Sequence, residues 1–132
     1  MLKPKWVSPH FHSDEFRCHD MRGTAVPARF MPNVKRLAAQ LEIIRAACGG
    51  KPVIVRSGYR TRDYNKAIGG AKASQHLSGS AADIVVVSMT PKQVHAVIEK
   101  LIAAGVLHNG GLGLYKNFVH YDIRAKPARW RG

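Results

Sequence analysis

The chain has 132 residues, of which 45% are hydrophobic and 22% charged. This size and composition are typical of one globular domain and exclude two full-sized domains or a largely disordered chain. The 21 Lys and Arg residues against 8 Asp and Glu give a formal charge of +13, which indicates an anionic partner or environment such as nucleic acid, a membrane surface or bacterial cell wall.

The first 30 residues predict an irregular N-terminal wrap, in which Ser13 would cap a short helical turn at SDEF. A clear helix follows, with Pro32 in its first turn and Gly49–Gly50 at its end. Apolar residues recur at helical spacing and predict a core face made of Val34, Leu37, Ala38, Leu41, Ile44 and Cys48.

Two cysteines, Cys18 and Cys48, are too few for a zinc ribbon or a disulfide scaffold. We expect two reduced, partly buried thiols. A disulfide between the N-terminal segment and the end of the first helix is the alternative.

The middle of the chain predicts a strand at 52–57, a turn at Gly58 and a short helix over 62–67 capped by Thr61. A glycine- and serine-rich loop then leads to a buried strand, ADIVVVS. Long loops in small domains are often functional, so this loop is a candidate site element. Thr90 and Pro91 start a second amphipathic helix that ends at Gly105.

The last predicted element is a hairpin, with GLGLY (111–115) and FVHYDIR (118–124) flanking a two-residue connection. In the second arm the side chains of Phe118, His120, Asp122 and Arg124 share one face. Such a polar face lines either solvent or a site. Together these elements predict one α+β domain over 1–132, with a small antiparallel or mixed sheet flanked by helices.

His76 in the loop and Asp83 at the start of the following strand require an explanation, because an unpaired buried carboxylate is costly. Catalytic zinc commonly takes three protein ligands and leaves one position open. His76, Asp83 and His120 would form such a set. With seven histidines in the chain, spacing alone leaves a chance triplet open.

The segment SQHLSGSAAD matches, at every fixed position, the pattern Ser-x-His-x-x-Gly-x-Ala-x-Asp. It resembles the zinc D-alanyl-D-alanine carboxypeptidases and their relatives, which include phage L-alanyl-D-glutamate endolysins and, more distantly, the hedgehog signalling domain. VRSGYR, GLGLYKNFVHYDIR, EFRC and RW extend the resemblance over nearly the whole chain. The resemblance implies a hedgehog/DD-peptidase-like fold and one Zn²⁺ per chain, bound by His76, Asp83 and His120.

The resemblance also implies roles for residues around the metal. Arg56 resembles the arginine that polarises the scissile carbonyl or clamps a substrate carboxylate, although a surface charge at a strand end is the simpler interpretation from the sequence alone. Ser74 and Gln75 would contact the peptide backbone or shape the loop, and VRSGYR, with Tyr59, would form a substrate-binding strand and turn. Gly79 would supply an unusual backbone conformation.

The position of the general base departs from the family pattern. Many relatives carry an acid three residues before the last histidine ligand or a histidine two before it, and Asn117 and Phe118 stand there in this chain. Asp122, two residues after His120 and about 7 Å along the strand, is the replacement we predict. Orientation of a histidine ligand, or an ion pair with Arg124, are the alternatives for Asp122.

We therefore expect a zinc peptidase acting on peptidoglycan stem peptides, of the endolysin type from a bacteriophage or prophage. The sequence shows no secretory signal or transmembrane segment, so we expect a protein that is made in the cytoplasm and acts on the cell wall after release. For its oligomeric state, a monomer is the default expectation. Its charge would hold it on anionic wall polymers or the outer membrane. A catalytically weak binding or virion-structural module is the alternative, and specific nucleic-acid binding has charge alone in its favour.

Overall fold

A computed structural model describes residues 5–132. It contains ten regular elements: β1 (Trp6–Ser8), β2 (Phe11–His12), α1 (Met31–Ala47), β3 (Val53–Ser57), α2 (Arg62–Ala67), β4 (Ala81–Val86), α3 (Pro91–Ala103), β5 (Gly111–Leu114), β6 (Val119–Asp122) and β7 (Ala128–Arg131). Short 3₁₀ turns lie at Ser13–Phe16, Ala28–Phe30 and Gln75–Ser78. The α+β prediction is confirmed.

The main sheet has five strands in the order β3-β4-β6-β5-β7. Neighbouring strands are antiparallel except β5 and β7, which are parallel, so the sheet is mixed. Strands alternate their side chains between two faces. One face packs apolar side chains against α1 and α3 to form the core, and its fully buried members include Leu37, Leu41, Ile84, Ile98, Leu112 and Tyr121. The opposite face is left for polar residues of β4 and β6.

The predicted helices form where their signals lie. Thr90 caps α3 in a reciprocal pair with Gln93, and the Thr61 hydroxyl accepts the Tyr64 N–H at the start of α2. The predicted cap of the SDEF turn is wrong by one residue, because the His12 side chain accepts the Asp14 N–H there. None of the described helices is long and apolar enough to cross a membrane.

The N-terminal wrap is more regular than predicted, since β1 and β2 pair as a small antiparallel ribbon against α1. Glu42 of α1 holds this ribbon: its carboxylate accepts the Ser8 hydroxyl at 2.6 Å and the His10 N–H at 2.7 Å. Burial raises the pKa of Glu42, but these hydrogen bonds outweigh it and leave the pKa below its ordinary value. The ionised form of Glu42 therefore stabilises the fold.

Cys18 and Cys48 are both buried and both free, as expected for reduced thiols. Burial raises the pKa of the Cys48 thiol, which keeps it protonated and unreactive.

Candidate metal centre

Three buried side chains converge on the polar face of the sheet. Asp83 of β4 and His120 of β6 are cross-strand partners, and His76 lies in the 3₁₀ turn that leads into β4. Asp83 Oδ1 is 2.9 Å from His120 Nδ1 and 3.3 Å from His76 Nε2. Their ligand atoms all lie within 4.8 Å of one another, so the structure brings the three predicted ligands together.

The backbone around residue 76 fixes the His76 ring. Its Nδ1–H donates to the Gly58 carbonyl at 2.6 Å, which leaves Nε2 with a lone pair aimed at Asp83. Burial lowers the pKa of His76 and favours the neutral ring. Gly79 ends the 3₁₀ turn at φ 71°, as the sequence predicted, in a left-handed conformation that β-carbon sterics disfavour.

His120 is held from its other ring nitrogen. Its Nε2–H donates to Asp122 Oδ2 at 2.7 Å, so Nδ1 faces Asp83. Burial lowers the pKa of His120, but the hydrogen bonds to Asp122 and Asp83 outweigh it and raise the pKa above its ordinary value. Burial likewise raises the pKa of Asp83, whereas the adjacent rings of His120 and His76 hold it well below the usual range. Asp83 therefore stays ionised.

The donor set fits a cation. With Nδ1 of His76 and Nε2 of His120 committed as donors, the other nitrogen of each ring faces the carboxylate of Asp83. Lone pairs in such a cluster repel unless a proton or a metal ion lies among them. Two imidazoles and one carboxylate are a ligand set typical of catalytic zinc with one open position.

Asp122 is buried behind this cluster, with 0% of its surface exposed. Besides His120, its carboxylate accepts the Gly111 N–H at 2.9 Å and the Arg124 Nη2–H at 2.7 Å. Burial raises the pKa of Asp122, but the hydrogen bonds from His120 and Arg124 lower it below the usual range. Both oxygens are thus occupied and away from solvent. This geometry favours the orienting role over that of a base that takes a proton from water.

Two glycines of β5 make room for this arrangement. A Cβ at Gly111 would come within 2.6 Å of Asp122 Cγ and 2.7 Å of Arg124 Nε. A Cβ at Gly113 would come within 2.6 Å of Trp130 Cε2. The leucines that alternate with them face the core, so the GLGL pattern builds a core on one face and a shallow trough on the other.

An open cavity of about 630 Å³ lies over the cluster. It is lined by residues of the loop at 68–75 and by the aromatic side chains of Tyr115, Phe118 and Trp130. Arg60 and Arg124 supply its cations. Among the residues lining it in the described part of the chain, Asp83 is the one carboxylate.

The structure does not bring Arg56 to this cavity. Arg56 is exposed at a β-bulge of β3, whereas Arg60, four residues later, lines the cavity. The Arg60 guanidinium donates to Asp83 Oδ2 at 3.4 Å and to Asn65 Oδ1 at 3.2 Å, and its backbone N–H donates to the His76 carbonyl. Sequence reasoning missed Arg60, although it belongs to the same VRSGYR stretch.

The predicted substrate-binding residues are divided between the cavity and the core. Ser74 and Gln75 line the cavity, and the Ser74 hydroxyl also accepts the His76 N–H at 3.2 Å. Tyr59 is buried, packs on Phe30 with ring centroids 6.0 Å apart, and does not line the cavity. Of the three, Tyr59 is therefore placed as a core residue.

A buried cluster of two histidines and one aspartate beneath an open cleft is an arrangement typical of proteins that bind a single metal ion. Comparison with known proteins narrows the class: a sequence model of the Peptidase M15 family matches residues 9–122. The chain belongs to the Peptidase M15 family. A 45-residue segment is 42% identical to the zinc D-Ala-D-Ala carboxypeptidase of Streptomyces albus G, and it covers 34% of this chain and 18% of that relative. The predicted resemblance to this family is confirmed.

Proposed function

We propose that this protein is a zinc-dependent peptidase that hydrolyses peptide bonds in peptidoglycan stem peptides. The observation that carries the proposal is the convergence of His76, Asp83 and His120 at the floor of an open cleft. Family membership and the named activity of the Streptomyces relative support the reaction class. An open cleft suits an extended peptide chain, whether the enzyme trims an end or cuts within it.

His76, Asp83 and His120 would hold the zinc ion, one per chain. When bound, zinc supplies Lewis-acid catalysis for the attack of water on a peptide carbonyl. Arg60, anchored by Asp83 and Asn65, presents a fixed cation that stabilises negative charge developing on the carbonyl oxygen or binds a substrate carboxylate. This is the role that the sequence analysis gave to Arg56. Ser74 and Gln75 offer hydrogen bonds to the peptide backbone.

The basic surface supports attachment to an anionic wall. The 21 Lys and Arg residues outnumber the 8 Asp and Glu residues, so ion pairs such as Arg17–Asp14, Arg124–Asp122 and Arg129–Glu99 can neutralise only part of the positive charge. We propose that this charge holds a monomeric enzyme on wall polymers or the outer-membrane surface after release in a phage or prophage lysis event. Binding to isolated cell walls that does not weaken as salt rises would contradict this part.

A binding or virion-structural module of the same fold is the second candidate. One observation favours it: Asp83 is the sole carboxylate among the described residues lining the cleft, and Asp122 is fully engaged by its neighbours. A slow or absent reaction would follow from the lack of a free proton acceptor.

Two measurements on the purified protein decide between these candidates. Elemental analysis should find zinc, and mass spectrometry of digested peptidoglycan should find released stem-peptide fragments that identify the bond cut. Zinc with no cleavage supports the binding module. A protein that shows no zinc and does not cleave peptidoglycan refutes the peptidase proposal. The Arg60→Ala variant, compared with Arg56→Ala, tests which arginine serves the reaction.

A further inference from the structure

Trp130 of β7 lies against the metal ligand His120. The two ring centroids are 4.9 Å apart with an interplanar angle of 52°. His120 also meets His76 edge-on, at a centroid distance of 5.1 Å. The imidazole is thus in contact with two other rings, and each contact restricts its rotation.

The contact with Trp130 depends on the glycine between the two residues. β5 lies between β6 and β7, and Gly113 is the register partner of both His120 and Trp130. Because Gly113 has no side chain, the indole crosses the middle strand and reaches the imidazole. A strand placed two positions away in the sheet therefore contacts a metal ligand directly.

The indole is held in this position by polar contacts. Its Nε1–H donates to the Tyr115 hydroxyl at 2.8 Å, and the Arg124 guanidinium carbon lies 5.1 Å from its ring centroid. Tyr115 in turn stacks on Phe118 at 4.4 Å. A donor bond, a cation–π contact and a stacked neighbour together fix the ring that contacts His120.

We propose that Trp130 is a positioning residue that holds the His120 ring in its metal-binding orientation. The inference rests on the proposed zinc site, and it assigns to the C-terminal strand a part in zinc affinity. Because Trp130 acts through His120, its loss should lower the affinity for zinc without removing a contact with the substrate. Partners that orient a metal ligand by hydrogen bonding typically contribute about 10- to 100-fold to metal affinity, and we expect the ring contact of Trp130 to lie at the lower end of that range.

Competition titration of zinc against a chelator, on the full chain, tests the proposal. Trp130→Ala should weaken zinc binding about 10-fold or more, and Trp130→Phe, which keeps an aromatic ring on His120, should recover most of that loss. Gly113→Ala should weaken zinc binding in the same direction by displacing the indole. Trp6→Phe, at the chain's other tryptophan, is the matched control and should bind zinc as the unmodified protein does.

Two further readouts separate positioning from general support of the fold. Thermal unfolding of metal-free Trp130→Ala should remain one cooperative transition. If Trp130→Ala does not fold, zinc binding is measured instead on Tyr115→Phe, which removes only the hydrogen bond to the indole. In the Trp6→Phe protein, the fluorescence of Trp130 should change when zinc binds.

Equal zinc affinity of Trp130→Ala and the unmodified protein would overturn the proposal. So would a Trp130→Phe protein as weak as Trp130→Ala, because ring packing would then be irrelevant. Failure of the unmodified protein to bind zinc is a different result, which overturns the proposed function itself.

Discussion

Replacement of Asp122 by asparagine separates the two roles open to this residue. The carboxylate accepts hydrogen bonds from His120, Arg124 and the Gly111 backbone in a fully buried position. In the Asp122→Asn variant an NH₂ group would replace Oδ2 beside His120 Nε2. Because two donors cannot face each other, the His120 ring would carry its proton on Nδ1, the nitrogen that would otherwise bind the metal. The wrong tautomer should lower zinc affinity about 10- to 100-fold.

The same change also costs stability. It replaces charge-assisted hydrogen bonds, each contributing about 1.5–3 kcal/mol, by neutral ones and leaves Arg124 facing a donor. Because 31% of the Arg124 side chain is exposed, its guanidinium can turn to solvent, so we expect a loss near the lower end, about 2 kcal/mol. Denaturant unfolding of the metal-free protein measures this loss, and Asp63→Asn, at an exposed aspartate of α2, is the matched control.

The assay pairs zinc titration with the rate of peptidoglycan cleavage. If Asp122 orients His120, zinc affinity falls and the residual activity returns at saturating zinc. A variant that binds zinc as tightly as the unmodified protein while its rate falls by orders of magnitude would refute this reasoning and identify Asp122 as the proton acceptor.

Three other predictions follow from the structure. Arg60→Ala should retain zinc but lower the cleavage rate about 10²- to 10³-fold, whereas Arg56→Ala should leave the rate unchanged; equal rates for the two variants would contradict the assignment. Glu42→Gln should cost about 1 kcal/mol of unfolding free energy at pH 7. Because the pKa of Glu42 is lowered on folding, that difference should shrink as the pH falls below about 4, and a difference that grows in acid would have the wrong sign. Gly79→Ala, at φ 71° and with Val34 2.9 Å from the added Cβ, should destabilise the fold by about 1–2 kcal/mol in denaturant melts.

Local patterns predicted the elements that position the site. The helix stop at Gly49–Gly50, the Thr90 cap and the hairpin between β5 and β6 all lie where short-range signals placed them. These signals work because capping, periodicity and turn geometry depend on neighbours within a few residues. The metal cluster needed the family resemblance in addition, since His76 and His120 are far apart in the chain.

What the sequence did not reveal depends on contacts between distant strands. The ARWR segment alternates apolar and charged residues, but four residues are a weak strand signal by themselves, and β7 forms against β5 as its parallel partner. A register shift in β3 between Val55 and Ser57 places Ser57 opposite Asp83 and leaves Arg56 unpaired with it, whereas Arg60 in the following turn lines the cleft. Asp122 can be buried because Gly111, beside it on β5, has no side chain. A hydrophobic pattern in the sequence does not show such a contact.

The pairing of Asp83 with His120 across β4 and β6 has a thermodynamic consequence. These two residues are 37 residues apart in the chain, so they meet only when β4 and β6 have paired. An ion that binds this assembled pair and not the unfolded chain shifts the folding equilibrium toward the native state, by about 2.7 kcal/mol when its free concentration is a hundred times its Kd. The supply of zinc would then regulate how long the enzyme survives as well as whether it acts.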